Sequence, residues 1–145
     1  MSMAFQLTFD CDQAHMLAQF WAAVLGYKPA DPPAGFATWE DWLRYHDVPE
    51  EEWDDGASIE DPNGAGSGKR ITFLKVPEPK TAKNRIHMDL DVADRTAPIE
   101  EQVRDIDREV ARIEGLGGTK VRADRIPTHY HVVMQDPEGN EFCVR

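Results

Sequence analysis

The sequence has no apolar run near the ~20 residues that a membrane span requires, and so no membrane partner is expected. Its 145 residues include only two cysteines, Cys11 and Cys143. That scarcity excludes a disulfide framework and predicts a reducing, cytoplasmic setting. Basic residues are also few: 16 Lys and Arg stand against 27 Asp and Glu, for a formal charge of −11. Phosphate backbones demand a basic footprint, so nucleic acid is not an expected partner. Missing as well are Gly-x-Gly-x-x-Gly, a phosphate-binding loop, Gly-x-Ser-x-Gly, Cys-x-x-Cys and His-Glu-x-x-His, and with them the chemistries those strings serve. Met1-Ser2-Met3-Ala4 leads straight into a strand-like segment, unlike a secretory leader with its charged start and apolar stretch. What remains is a composition of 41% hydrophobic and 30% charged residues, typical of a globular chain of one domain or two merged half-size units.

Residues 5–12 alternate, with Phe5, Leu7, Phe9 and Cys11 opposite Gln6, Thr8 and Asp10, the period of a half-buried strand. Asp12 precedes a helical pattern that gathers Leu17, Phe20, Trp21, Val24 and Leu25 on one face, and Gly26 ends it. Pro29, Pro32, Pro33 and Gly35 then interrupt regular structure, and ATWEDWLRYH reads as a short helix. The acidic run Glu50-Glu51-Glu52-Trp53-Asp54-Asp55 reads as a solvated loop or helix end. Gly64, Gly66 and Gly68 mark a loop before a strand at 70–76.

After Pro77 and Pro79 the pattern starts again. Residues 85–92 alternate, with Arg85, His87, Asp89 and Asp91 opposite Ile86, Met88, Leu90 and Val92. Thr96 can cap a long helix carrying Ile99, Val103, Ile106, Val110 and Ile113, closed by Gly115, Gly117 and Gly118. Strands are predicted at 119–124, 130–135 and 140–145. Two strings support a true repeat. Asp61-Pro62-Asn63-Gly64 returns as Asp136-Pro137-Glu138-Gly139, each a tight turn ahead of a final strand, and Leu25-Gly26 returns as Leu116-Gly117. In this register Gln6 matches His87.

The strings LAQFWAAVLGYK, KNRIHMDLDVAD and DPEGNEFCV, in that order, resemble the vicinal oxygen chelate superfamily, in its glyoxalase-like, bleomycin-resistance-like group, over nearly the whole chain. The resemblance implies an α+β fold: two βαβββ modules forming an open, cup-shaped mixed-sheet half-barrel with helices on the outside. Residues 1–145 are then a single glyoxalase-like domain, with module one at about 4–77, an aromatic-acidic insertion at about 35–60, and module two at about 83–145. It also implies a homodimer and, in many members, a divalent metal held by one ligand from the first and last strand of each module.

The matching positions here are Gln6, His87 and Cys143, the last standing where the family carries Glu. The last strand of module one offers only Thr72 and Lys75 as polar groups. A catalytic divalent centre takes about three protein ligands and an open position. Gln6 and His87 make two. Cys143 would add a soft donor better suited to zinc than to manganese, nickel or iron, and Glu141 could replace it only by a shift of register. No cofactor is therefore expected; a divalent metal, if present, would rest on Gln6 and His87.

In such a cup the polar strand faces line the interior: Gln6, Thr8 and Asp10 from one module, Arg85, His87 and Asp89 from the other. His87 is the candidate for proton transfer, with Asp10 or Asp89 orienting its ring. Cys143 reads as a small buried filler, since a nucleophile would need a lowered pKa and an activating base. His129 and His131 share a strand face without an acidic or thiol partner nearby in sequence, which places them on the surface. His15 and His46 stand in no visible constellation. The insertion holds three of the four tryptophans. Trp39, Trp42 and Tyr45 recur at helical spacing, either to pack against the sheet or, for Trp39 and Trp42, to wall a pocket that stacks on a planar ligand. Its acidic neighbours would favour a cationic or amphipathic one.

Three functions fit these residues. The first is a metal-independent small-molecule-binding protein of resistance or sensor type. The second is a lyase or isomerase of the glyoxalase type, metal-free with His87 as acid and base, or with a metal on Gln6 and His87. The third is a non-catalytic interaction module.

Overall fold

The computed structural model describes residues 1, 3–64 and 70–145; the loop glycines Gly66 and Gly68 lie outside the described residues. The chain divides into two compact units, Met1–Pro79 and Lys80–Arg145.

Unit 1 runs β1 (Leu7–Cys11), α1 (Ala14–Leu25), β2 (Lys28–Pro29), α2 (Trp39–Tyr45), a 3-10 turn (Glu50–Asp55), β3 (Gly56–Glu60) and β4 (Arg70–Lys75). Its sheet has the order β1-β4-β3-β2, with β1 parallel to β4 and the other pairs antiparallel. The alternation read in β1 holds, since Thr8 and Asp10 are exposed while Cys11 is buried. Phe9 meets Trp21 and Phe73 edge-on, at ring centroid distances of 5.6 and 5.2 Å. Helix α1 buries Leu17, Phe20, Trp21 and Val24, together with Ala14 and Ala18. Each such large side chain removed from water contributes about 1.5–3 kcal/mol. Gly26 ends α1 in the left-handed conformation at φ 70°, and Tyr27 N–H bonds back to Ala22 C=O, the closing bond of a Schellman cap.

The first strand is shorter than its alternation. Pairing with β4 runs from Leu7↔Ile71, so Gln6 precedes the strand and Phe5 is 78% exposed instead of buried.

Unit 2 repeats the plan: β5 (Asp89–Leu90), α3 (Ile99–Leu116), β6 (Thr119–Ile126), β7 (His129–Gln135) and β8 (Glu141–Val144). Its sheet order is β5-β8-β7-β6, again with one parallel pair, β5 with β8. Each unit is thus a βαβββ module with a four-stranded mixed sheet, and the chain has the α+β architecture that its repeats imply. The repeated turns also match in detail. Asn63 N–H donates to the Asp61 carboxylate and Gly64 N–H to Asp61 C=O; Glu138 N–H and Gly139 N–H do the same at Asp136. Helix α3 closes as α1 does, with Gly117 left-handed at φ 112° and Gly118 N–H bonding Ile113 C=O.

Two details of unit 2 differ from the sequence reading. Strand β5 covers two residues of the eight that alternate, and Ile86 is 81% exposed; backbone bonds from Cys143 to Met88 and from Val92 to Arg145 continue the pairing without extending the strand. Thr96 does not cap α3. Its N–H and hydroxyl both donate to Asp94, and the helix starts after Pro98. Proline at the helix boundary suits that start, because it brings no N–H to satisfy there.

Candidate functional site

In unit 2 the parallel register sets Asp89 beside Cys143. His87, just ahead of β5, brings its Nε2 to 3.3 Å from Asp89 Oδ1. One donor atom from each of His87, Asp89 and Cys143 lies within 4.8 Å of the other two. Cys143 is half-buried. Burial pushes its thiol up from its ordinary value, and the neighbouring Asp89 carboxylate adds to the rise. A free, reactive thiolate is therefore disfavoured at neutral pH. Arg145 reaches Asp91 at 2.9 Å and Asp89 at 3.7 Å.

Glu141 has other work. It accepts from Asn84 N–H at 2.9 Å and pairs with Lys80 at 3.3 Å. Burial would raise its carboxyl, but these donors hold it below its ordinary value.

His129 and His131 do share a face, and their rings meet at 3.0 Å between Nε2 and Nδ1. The acidic partner absent from their own strand comes from the next one: β6 pairs Asp124 with His131 across the ladder, with Nε2 to carboxylate at 3.3 Å. Arg95 contacts His129 Nδ1. Burial first, and then Arg95 and His131, lower the pKa of His129. This pair is a half-buried polar row and not a loose surface feature.

Unit 1 holds a cavity of about 780 Å³, inside the few-hundred to ~1,000 Å³ range of small-molecule sites. One side is a shoulder of α1, with His15 and Gln19 exposed, Ala22 half-buried and Ala18 buried. The floor is Ser58 and Thr72, whose hydroxyls share a bond of 3.0 Å. The remaining wall is the insertion, with Trp39, Trp42 and Leu43 from α2 and Trp53 from the 3-10 turn.

Thr38 starts α2, its hydroxyl accepting from Asp41 N–H at 3.1 Å, and the helix buries none of its residues. Trp39 and Trp42 are half-buried and cross edge-on at 5.8 Å. Tyr45 is 74% exposed and packs only locally, against Phe36 and His46. The aromatic spacing of α2 therefore serves the cavity wall and not the sheet core.

The residues singled out from sequence fall in different places. Trp39 and Trp42 line the cavity; Gln6, Thr8 and Asp10 do not, although Thr8 pairs with the lining residue Thr72. Arg85 is exposed ahead of His87. Gln6 belongs to unit 1, whereas His87 finds Asp89 and Cys143 inside unit 2. Sequence reasoning passed over His15, which lies 3.6 Å from Asp54, and the small residues of α1. The signal was present: His15, Ala18, Gln19 and Ala22 recur at helical spacing beside the large apolar face.

The model of the glyoxalase-like domain matches residues 6–145. The chain belongs to the glyoxalase-like family. This places it in the vicinal oxygen chelate superfamily that its three strings resemble. No curated protein matches it.

Solved structures share the fold of this glyoxalase-like protein at low identity. A glyoxalase/bleomycin resistance protein/dioxygenase family enzyme from Burkholderia phytofirmans is 13% identical, with a TM-score of 0.61 over 96% of this chain and 94% of that one. A possible glyoxalase from Bacillus cereus is 15% identical, at 0.60 over 99% and 98%. A fosfomycin resistance protein from Listeria monocytogenes is 9% identical, at 0.62 over 99% and 92%. A mutant of a fosfomycin resistance protein from Listeria monocytogenes, 10% identical at 0.62 over 100% and 90%, was solved with Mn(II) and a dihydroxypropylphosphonic acid. Among the described residues no helix is long and apolar enough to cross a membrane.

Proposed function

We propose that this glyoxalase-like protein binds a small organic molecule, without a metal, in the cavity of unit 1, as a resistance or sensor protein does. The observation that carries the reading is the 780 Å³ cavity faced by Trp39, Trp42 and Trp53. Half-buried indoles on a helix with no buried residue leave apolar surface that a ligand can cover. A thermal-melt screen of small molecules tests it, repeated on Trp39→Ala and Trp42→Ala. Ligands that raise the melting temperature of the parent and lose the effect in both variants support the reading. A screen without hits, or hits indifferent to both substitutions, overturns it.

A second reading rests on the convergence of His87, Asp89 and Cys143 within 4.8 Å. Imidazole, carboxylate and thiolate together suit zinc, and three protein donors leave a position open. Bound there, the ion would polarise a substrate oxygen as a Lewis acid. This donor set differs from the pairing of Gln6 with His87 taken from the family pattern. In the metal-free form of the same lyase or isomerase reading, His87 moves the proton and Asp89 holds its ring.

A homodimer completes the proposal. The exposed Phe5 and Ile86, which open the two repeated strand segments, are apolar surface of the kind that association covers. Sedimentation at several concentrations tests it, and a concentration-independent monomer rejects it.

A further inference from the structure

We propose that the unit 1 cavity selects organic cations: molecules with a flat apolar body and a positive, poorly solvated head. The inference rests on the small-molecule reading above and names the class of ligand. Its first support is what the aromatic walls withhold. Trp39 donates its indole N–H to Ala30 C=O at 2.8 Å, and Trp53 donates to Val48 C=O at 3.0 Å. Both donors are used within the protein, so these rings offer a ligand carbon edges and π faces and no hydrogen bond.

A π face carries negative potential and draws cations, most of all when both partners leave water. This protein already uses one ring so, with the Arg44 guanidinium carbon 5.0 Å from the centre of Trp53.

The second support is the sign of the surrounding charge. The ionisable groups lining the cavity are Glu40, Glu52, Asp54 and His15, with no lysine or arginine among the lining residues. Among the described residues, neither Glu40 nor Glu52 has a basic partner within 4 Å, and Asp54 faces His15 at 3.6 Å. An anion entering this space would meet three carboxylates at the rim, while the two bases nearby, His15 against Asp54 and Arg44 over Trp53, are already engaged within the protein. A cation gains from the rim and from the rings together. The Ser58 and Thr72 hydroxyls, bonded to each other at 3.0 Å, keep lone pairs for a polar group at the floor.

The test compares three probes of closely similar shape by equilibrium dialysis: naphthylmethyl-trimethylammonium, its uncharged carbon isostere neopentylnaphthalene, and naphthylmethanesulfonate. The cation is expected to bind at least about tenfold more tightly than the neutral isostere, and the sulfonate more weakly than either. Glu40→Gln with Glu52→Gln should erase most of the preference while leaving neopentylnaphthalene unchanged. Trp39→Ala and Trp42→Ala should weaken both. An unchanged melting temperature of the Gln variant excludes misfolding as the cause.

Equal binding of cation and isostere, still dependent on the tryptophans, overturns the cation inference and leaves the cavity reading standing. Binding indifferent to the tryptophans, or absent for all three probes, overturns both.

Discussion

Asp89 and Cys143 stand side by side in the parallel pairing of β5 with β8, and the His87 imidazole closes the group 3.3 Å from Asp89. The donors come from two segments distant in sequence, joined by the backbone pairing of β5 with β8 and by Arg145 with Asp89 and Asp91. If they hold a metal, added zinc should raise the melting temperature in a concentration-dependent way. Cys143→Ser and His87→Ala should each reduce that rise by more than half, because two remaining donors seldom retain the ion. Elemental analysis of protein purified without chelator gives a readout independent of turnover. No zinc and no shift would retire the metal form of this second reading.

Tyr130 on β7 donates its hydroxyl to Asp107 on α3 at 2.6 Å, tying the sheet of unit 2 to its helix. Burial, and then the Asp107 carboxylate, push its pKa up to about 12. The neutral phenol is thus the form the fold stabilises. Its contribution is complete below the ordinary tyrosine range, near 10, and is lost as pH rises through about 12. Tyr130→Phe should cost about 1–3 kcal/mol at neutral pH, by denaturant melts. The variant should also lose one late-titrating phenol in an ultraviolet difference titration.

A methyl group added at Gly118 would stand 2.6 Å from the Ile113 Cγ2 and 3.2 Å from its carbonyl oxygen. Ile113 is fully buried and cannot step aside. Gly118→Ala should therefore cost about 1–3 kcal/mol, as overpacking does. At Gly139 the space is open but φ is 84°, so Gly139→Ala should cost only the left-handed penalty of about 1–2 kcal/mol. Paired melts of the two variants check the order.

Glu60 lies between Lys28 at 3.2 Å and Arg70 at 3.3 Å. Burial raises its carboxyl, but the hydrogen bonds from Lys28 and Arg70 outweigh it and hold the pKa below its ordinary value. Glu141 is held low by Asn84 and Lys80 in the same manner. Both groups stabilise the fold above the ordinary carboxylate range, and that contribution is lost as pH falls through their depressed folded values. Glu60→Gln and Glu141→Gln should each flatten the acid side of the stability profile. An unchanged slope in acid would show that the pairs are not formed in solution.

Much of the fold was legible because its signals are local. Alternation in 7–11, the apolar stripe of α1, the stripe of α3 and the repeated Asp-Pro turns each depend on residues within one turn or one hairpin, and the structure keeps all of them. Thr96 and the alternation of 85–92 misled for a physical reason. A hydroxyl can bond its own turn in place of a helix end, and an alternating segment becomes a strand only where a neighbour supplies its ladder.

The sequence alone determined the duplicated βαβββ plan and the tryptophan-rich insertion, since periodicity and turn chemistry are properties of adjacent residues. Only tertiary structure decided which side chains meet. It gave Asp124 to His131, set Cys143 against Asp89, and brought the α1 shoulder, the Ser58–Thr72 floor and three indoles around one cavity. Pairing register and helix docking join residues distant along the chain, and no local pattern encodes the partner.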